Sequence, residues 1–156
     1  MKTILLATTG SDRCKCAEDY ALNYCAKNRT SLEIVHVVET SLSHYGLIDS
    51  LATEIDRHDF IAHARQQELP EVECRLARLI DKARGMNISC RVHVGWQAPL
   101  YCILKRLKQN NARLLVVGGR KKKRLNPFSL VNCLRRKACC TVRQIFEPGM
   151  EQPMKC

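Results

Sequence analysis

The chain has 156 residues, 46% of them hydrophobic and 26% charged, with a formal net charge of +11. These totals suit one globular domain with a real core. No apolar run approaches the roughly eighteen residues of a membrane span, and the opening Met-Lys-Thr-Ile-Leu-Leu-Ala is too short an apolar run for a secretory leader.

Residues 3–8 read as a first strand, because Ile4, Leu5, Leu6 and Ala7 in succession suit burial on both faces of a parallel sheet. Thr9-Gly10-Ser11-Asp12 ends it, and Ser11 or Asp12 is the expected cap of the next helix. There Ala17, Tyr20, Ala21, Tyr24 and Cys25 recur at helical spacing, and Asn28 is the expected stop. Residues 32–38 form a second strand with His36 inside it, expected as a packed, hydrogen-bonded side chain. Residues 40–49 read as loop and residues 50–69 as helix. Pro70 then either kinks one long helix or opens another. Val72, Leu76, Leu79, Ile80 and Ala83 make a helical stripe that Gly85 closes.

Ile88, Cys90, Val92 and Val94 alternate, so residues 87–94 read as a third strand, ended by Gly95. Pro99 opens a helix with Leu100, Ile103, Leu104 and Leu107 on its buried face. Residues 114–117 are a bulky apolar fourth strand. Gly118 and Gly119 are read as stopping it, by allowing angles that a side chain forbids. Asn126-Pro127 is the expected start of a short helix carrying Phe128, Leu130, Val131 and Leu134. Residues 139–146 read as a fifth strand and 148–156 as a tail. Strands alternating with helices imply an α/β fold of Rossmann-like type: an open parallel sheet with helices on both faces, in one domain over residues 1–147.

The charge is unevenly placed. Residues 1–81 hold nine Lys/Arg and thirteen Asp/Glu, whereas residues 82–146 hold sixteen Lys/Arg and no acid. Such asymmetry suggests a polyanion or an acidic protein as partner. The candidate anion-binding patch is Arg120, Lys121, Lys122, Lys123 and Arg124 with Arg135, Arg136 and Lys137. Aromatics in that half are scarce, so any nucleic-acid binding would lack base readout. The ten cysteines are expected mostly as free thiols in a reducing cytosol. Cys14 and Cys16 could meet His36 or His93 around a soft metal, but two ordinary thiols are the favoured reading, and no metal is expected. Ser11, His36 and Asp12 have the residue types of a catalytic trio, yet nothing in their spacing singles them out, and no catalytic residue is expected.

Lys2-Thr3-Ile4-Leu5-Leu6-Ala7-Thr8-Thr9-Gly10-Ser11, Ala21-Leu22, Ile34-Val35-His36-Val37-Val38, Val94-Gly95 through Pro99, Leu114-Leu115-Val116-Val117-Gly118 and Ala138-Cys139-Cys140-Thr141-Val142 follow one another in a telling order. Together they resemble the universal stress protein family, and Tyr45-Gly46-Leu47-Ile48-Asp49 is similar to its universal stress protein A branch. The resemblance implies five parallel strands in the order 3-2-1-4-5 and a cytoplasmic, non-enzymatic stress-response role. It also implies a homodimer through the last strand, residues 139–146, which like charges at Arg143 would weaken.

Many members bind ATP with an acid after strand one and a loop of form G-x-x-G-x9-G-[ST] after strand four. Here Gly118 holds the first glycine position, Lys121 the second, Val131 the third and Asn132 the Ser/Thr position, while Thr9 replaces the acid. A degenerate loop of this kind implies no ATP binding in the usual mode and no required cofactor. If a nucleotide site is retained, the resemblance implies Thr9, Gly10, Val37, Gly118, Gly119, Lys121 and Asn132. The alternatives are a nucleotide-regulated module with side-chain phosphate contacts and a non-specific polyanion binder.

Overall fold

Ile4, Leu5 and Leu6 are each at most 2% exposed, although successive strand residues point to opposite faces. Such a strand has to lie in a sheet covered on both sides. The computed structural model describes residues 2–38, 54–119 and 129–146, and between 54 and 70 only the side chains of Gln66 and Pro70. Its elements are β1 (Thr3–Ala7), a 3-10 turn (Asp12–Cys14), α1 (Lys15–Asn28), β2 (Ser31–Val37) and α2 (Glu54–Gly85). Then follow β3 (Cys90–Gly95), α3 (Pro99–Asn110), β4 (Leu114–Gly119), α4 (Leu130–Lys137) and β5 (Thr141–Phe146).

The five strands are all parallel, in the order β3-β2-β1-β4-β5. Two apolar layers sandwich them. On one face Ile4, Leu6, Leu32, Ile34 and Val116 pack under Ala17, Ala21 and Cys25 of α1 and Val72, Leu76 and Leu79 of α2. On the other, Leu5, Val35, Leu115 and Val117 pack under Ile103 and Leu107 of α3 and Leu134 of α4. No helix among the described residues is long and apolar enough to cross a membrane.

Several boundaries differ from the sequence expectation, each for a local reason. Ser11 does not cap α1: its Oγ pairs with Thr9 Oγ1 at 2.8 Å, a 3-10 turn follows, and α1 starts only at Lys15. Pro70 opens no second helix. It is exposed within the single 32-residue α2, and the buried stripe from Val72 to Ala83 carries the helix past it. β3 begins at Cys90 rather than Asn87, because the closing turn of α2 uses the intervening backbone. Asn87 takes φ 56°, its N–H donates to Arg84 O at 3.0 Å, and Ile88 N–H donates to Ala83 O at 2.9 Å. Helix α4 is described from Leu130 with Ser129 as its cap, and β5 starts at Thr141 rather than at residue 139. The expected loop at 40–49, Asn126, Pro127, Phe128 and the tail at 148–156 lie outside the described residues.

Candidate functional site

β1 is flanked by β2 on one side and β4 on the other. The helices that follow two of these strands, α1 after β1 and α4 after β4, pack on opposite faces of the sheet, so the carboxyl edge between the two strands is the place where ligands gather in such folds. Thr8 organises this edge. Its Oγ1 donates to Glu18 Oε1 at 2.7 Å and accepts from Gly10 N–H at 3.0 Å. His36 Nδ1 lies 3.1 Å from Thr8 O, and all three of Thr8, Glu18 and His36 are buried. Next along the chain, Thr9 Oγ1 lies 2.8 Å from Ser11 Oγ and 3.4 Å from Cys14 Sγ.

Gly118 and Gly119 do not turn the chain. They continue β4, opposite Ile145 and Phe146 of β5. Among the described glycines only Gly10 has positive φ, at 69°. What Gly118 supplies is room: a Cβ there would stand 3.2 Å from Cys14 Cα, 3.3 Å from Cys14 Sγ and 3.5 Å from Ala17 Cβ. The start of α1 therefore rests directly on Gly118. A Cβ at Gly119 would meet the Gln144 carboxamide, the movable end of a side chain.

Thr9 and Gly118 thus meet at Cys14, whereas Gly10 stands against Arg75 of α2 and Gly119 beside Gln144. Val37 ends β2, one strand beyond β1. Asn132 sits in the first turn of α4, where its N–H donates to Ser129 Oγ at 3.3 Å. Lys121 lies outside the described residues, as do Arg120, Lys122, Lys123 and Arg124. Arg135, Arg136 and Lys137 occupy the last turn of α4, which leads into the start of β5 and so lies at the opposite edge of the sheet from Gly118.

Cys14, Cys16, His36 and His93 are not assembled: no set of three metal-ligating side chains occurs among the described residues. Nor do Ser11, His36 and Asp12 form a relay. Ser11 bonds Thr9, His36 faces Thr8 O, and Asp12 is fully exposed, 4.0 Å from Arg78. Burial pushes the Cys25 thiol up and Cys90 to about 11, so neither ionises near neutral pH.

Two buried carboxylates escaped the sequence reading. Glu18 is held by Thr8. Glu33 points from β2 into the α3 layer, where Arg106 Nε donates to its Oε1 at 2.6 Å and Arg106 Nη1 bonds Gln109 Oε1 at 3.0 Å. The signal was a lone acid inside an apolar strand, which has to find a partner. His93 lies beside this pair. Burial holds its pKa below the ordinary imidazole value, reinforced by Arg106 and Lys105 and partly offset by Glu33.

The Universal stress protein family model matches residues 1–136. The chain belongs to the universal stress protein family. Among solved structures it resembles universal stress protein UspA from Lactobacillus plantarum, at 22% identity and TM-score 0.64, covering 92% of this chain and 97% of that one. A family protein from Arabidopsis thaliana with AMP bound matches at 19% identity and TM-score 0.61, covering 93% and 91%. The universal stress protein from Archaeoglobus fulgidus in complex with dAMP matches at 14% identity and TM-score 0.56, covering 92% and 96%. No curated protein sequence matches the chain. At these identities the structural likeness establishes the universal stress fold, and the family model establishes the membership.

Proposed function

We propose that this universal stress protein is a cytoplasmic, non-enzymatic stress-response protein that does not hold ATP in the usual mode of its family. The observation that carries the reading is the first turn of α4. Phosphates are bound at such turns by open backbone amides. Here Ser129 Oγ already accepts the Asn132 amide. Val131, at the third glycine position, packs against the core cluster that includes Leu115 and Leu134, and puts a branched side chain where the motif has none. The one retained motif glycine, Gly118, is covered by Cys14 and Ala17. Residues of this kind do not fit a triphosphate cradled by main-chain N–H groups. The nine described cysteines stand as thiols, which suits a reducing compartment.

A second reading has its own support, because AMP and dAMP occupy proteins of this fold. In it Thr9, Gly10, Val37, Gly118, Gly119 and Asn132 line a nucleotide site and Lys121 contacts phosphate through its side chain, making a nucleotide-regulated module. Thermal unfolding with millimolar ATP–Mg separates the two. A ligand at one hundred times its Kd adds about 2.7 kcal/mol, worth roughly 5–10 °C for a domain of this size. We expect no shift. A rise of about 5 °C would replace the first reading with the second.

The partner we propose is a second copy joined through residues 139–146. Among the described residues β5 is an edge strand with one side unpaired. The objection from Arg143 is eased, since its guanidinium lies 5.5 Å from the Tyr20 ring centroid and donates to Tyr20 O–H. Sedimentation velocity is expected to give about twice the 17.8 kDa chain mass, and a monomer at tens of micromolar would refute the pairing.

A further inference from the structure

The amino ends of the strands carry a second charged feature, on the edge opposite the glycine pair. Lys2 precedes β1, Arg29 precedes β2, Arg113 precedes β4, and all three are exposed. The backbones of Lys2 and Arg113 are tied to the neighbouring strand starts. Ser31 N–H donates to Lys2 O at 3.1 Å, Arg113 N–H to Thr3 O at 3.2 Å and Thr141 N–H to Arg113 O at 3.3 Å. Helix α4 runs back against the strands and delivers the exposed Arg135, Arg136 and Lys137 to the same edge, just before β5. Neighbouring strands lie about 4.8 Å apart, so the starts of β2, β1, β4 and β5 set these cations along a row of about 15 Å.

Acids stand elsewhere among the described residues. Asp12, Glu18 and Asp19 lie in the turn after β1 and the first turns of α1, Glu71 and Glu73 stand mid-helix on α2, Glu33 is buried on Arg106, and Asp81 is 3.9 Å from Arg84. Lys2, Arg29, Arg113 and Lys137 have no acidic partner within 4 Å among the described residues. Helix ends account for part of this charge, since each carries about −0.5 and welcomes a cation. Four helix ends supply only about −2, and Lys2, Arg29, Arg113 and Lys137 by themselves outweigh them.

The chemistry of the row selects its occupant. None of its residues is aromatic, and Tyr24, on the last turn of α1, is packed against the core. Splayed bases would find no stacking surface here. A duplex keeps its bases stacked within itself and presents about one negative charge per 1.7 Å of axis. The geometry points to a duplex nucleic-acid backbone, bound through phosphate and without sequence choice, as the ligand of this edge. That assignment is independent of whether a nucleotide binds beside Gly118.

Fluorescence anisotropy of the full chain with a labelled mixed-sequence DNA duplex tests it. The slope of log K against log salt is expected near −4, about −0.9 for each of four or five neutralised phosphates. Lys2→Glu with Arg113→Glu and Lys137→Glu should flatten that slope by about 3 units and weaken binding at least tenfold. The neutral set Lys2→Gln, Arg113→Gln and Lys137→Gln should act in the same direction while disturbing the fold less. Lys121→Glu with Lys122→Glu and Lys123→Glu should lose less than the edge set. The assignment is overturned if the edge sets bind like the parent, or if the 121–123 set alone abolishes binding. It is likewise overturned if polyglutamate displaces the duplex as well as a second duplex does, which would give the edge to an acidic protein.

Discussion

Arg106→Ala is expected to destabilise the protein by about 3 kcal/mol, the low end for stranding one member of a buried ion pair. Glu33 is 3% exposed at its side chain and Arg106 23%, which is why the lower figure applies. Removing the guanidinium leaves a buried carboxylate on β2, in register with Leu5, without the charge that offset its desolvation. The pair itself is not expected to be a large source of stability. Glu33→Leu combined with Arg106→Met should return to within about 1 kcal/mol of the parent, because two apolar groups of similar volume avoid the desolvation of both ions. Urea unfolding of the three proteins checks this, and a double variant as unstable as Arg106→Ala would refute it. A second readout is specific to the charge. His93 loses a cation that holds its pKa down and keeps a carboxylate that raises it, so its NMR titration should move up in Arg106→Ala. No movement would mean that the guanidinium does not act on the ring.

How much of this was legible beforehand depends on what a residue type leaves undetermined. Ile4, Leu5 and Leu6 in a row admit few structures other than a doubly covered strand, and strands alternating with helices along the chain point to a parallel sheet. The strand order came with the family resemblance, since apolar periodicity is silent on which strand lies beside which. Glu33 passed unremarked although a lone acid in an apolar strand is a signal, and its partner stands 73 residues away among many cations. Gly118 shows a different ambiguity. Glycine serves both where φ must be positive and where a Cβ has no room, and the sequence cannot separate the two. The pair was read as a stop, whereas the strand runs through it and Gly118 is there so that Cys14 can come close. The same ambiguity hid the role of Gly10, which uses both properties at once.

Gly10→Val is therefore expected to cost about 3 kcal/mol, close to the Arg106 effect though it removes no contact. The backbone share comes from φ 69°, a region costing an L-residue roughly 1–2 kcal/mol and more when it is β-branched. The steric share comes from α2: a Cβ on Gly10 would stand 2.9 Å from Arg75 Cβ, an atom fixed to the helix. The turn after β1 and the middle of α2 consequently have to separate. Because Gly10 N–H also donates to Thr8 Oγ1, that separation pulls on the Thr8–Glu18 hydrogen bond at the carboxyl edge. Two further variants divide the effect. Gly10→Asn tolerates positive φ and should recover most of the backbone share while keeping the clash. Arg75→Gly removes the opposing Cβ and costs about 1 kcal/mol by itself as a helix glycine. Combined with Gly10→Val, it should lose about 1 kcal/mol less than the two single losses added together. Strict additivity in that cycle would show that α2 does not press on the turn, leaving backbone conformation as the sole reason for glycine at position 10.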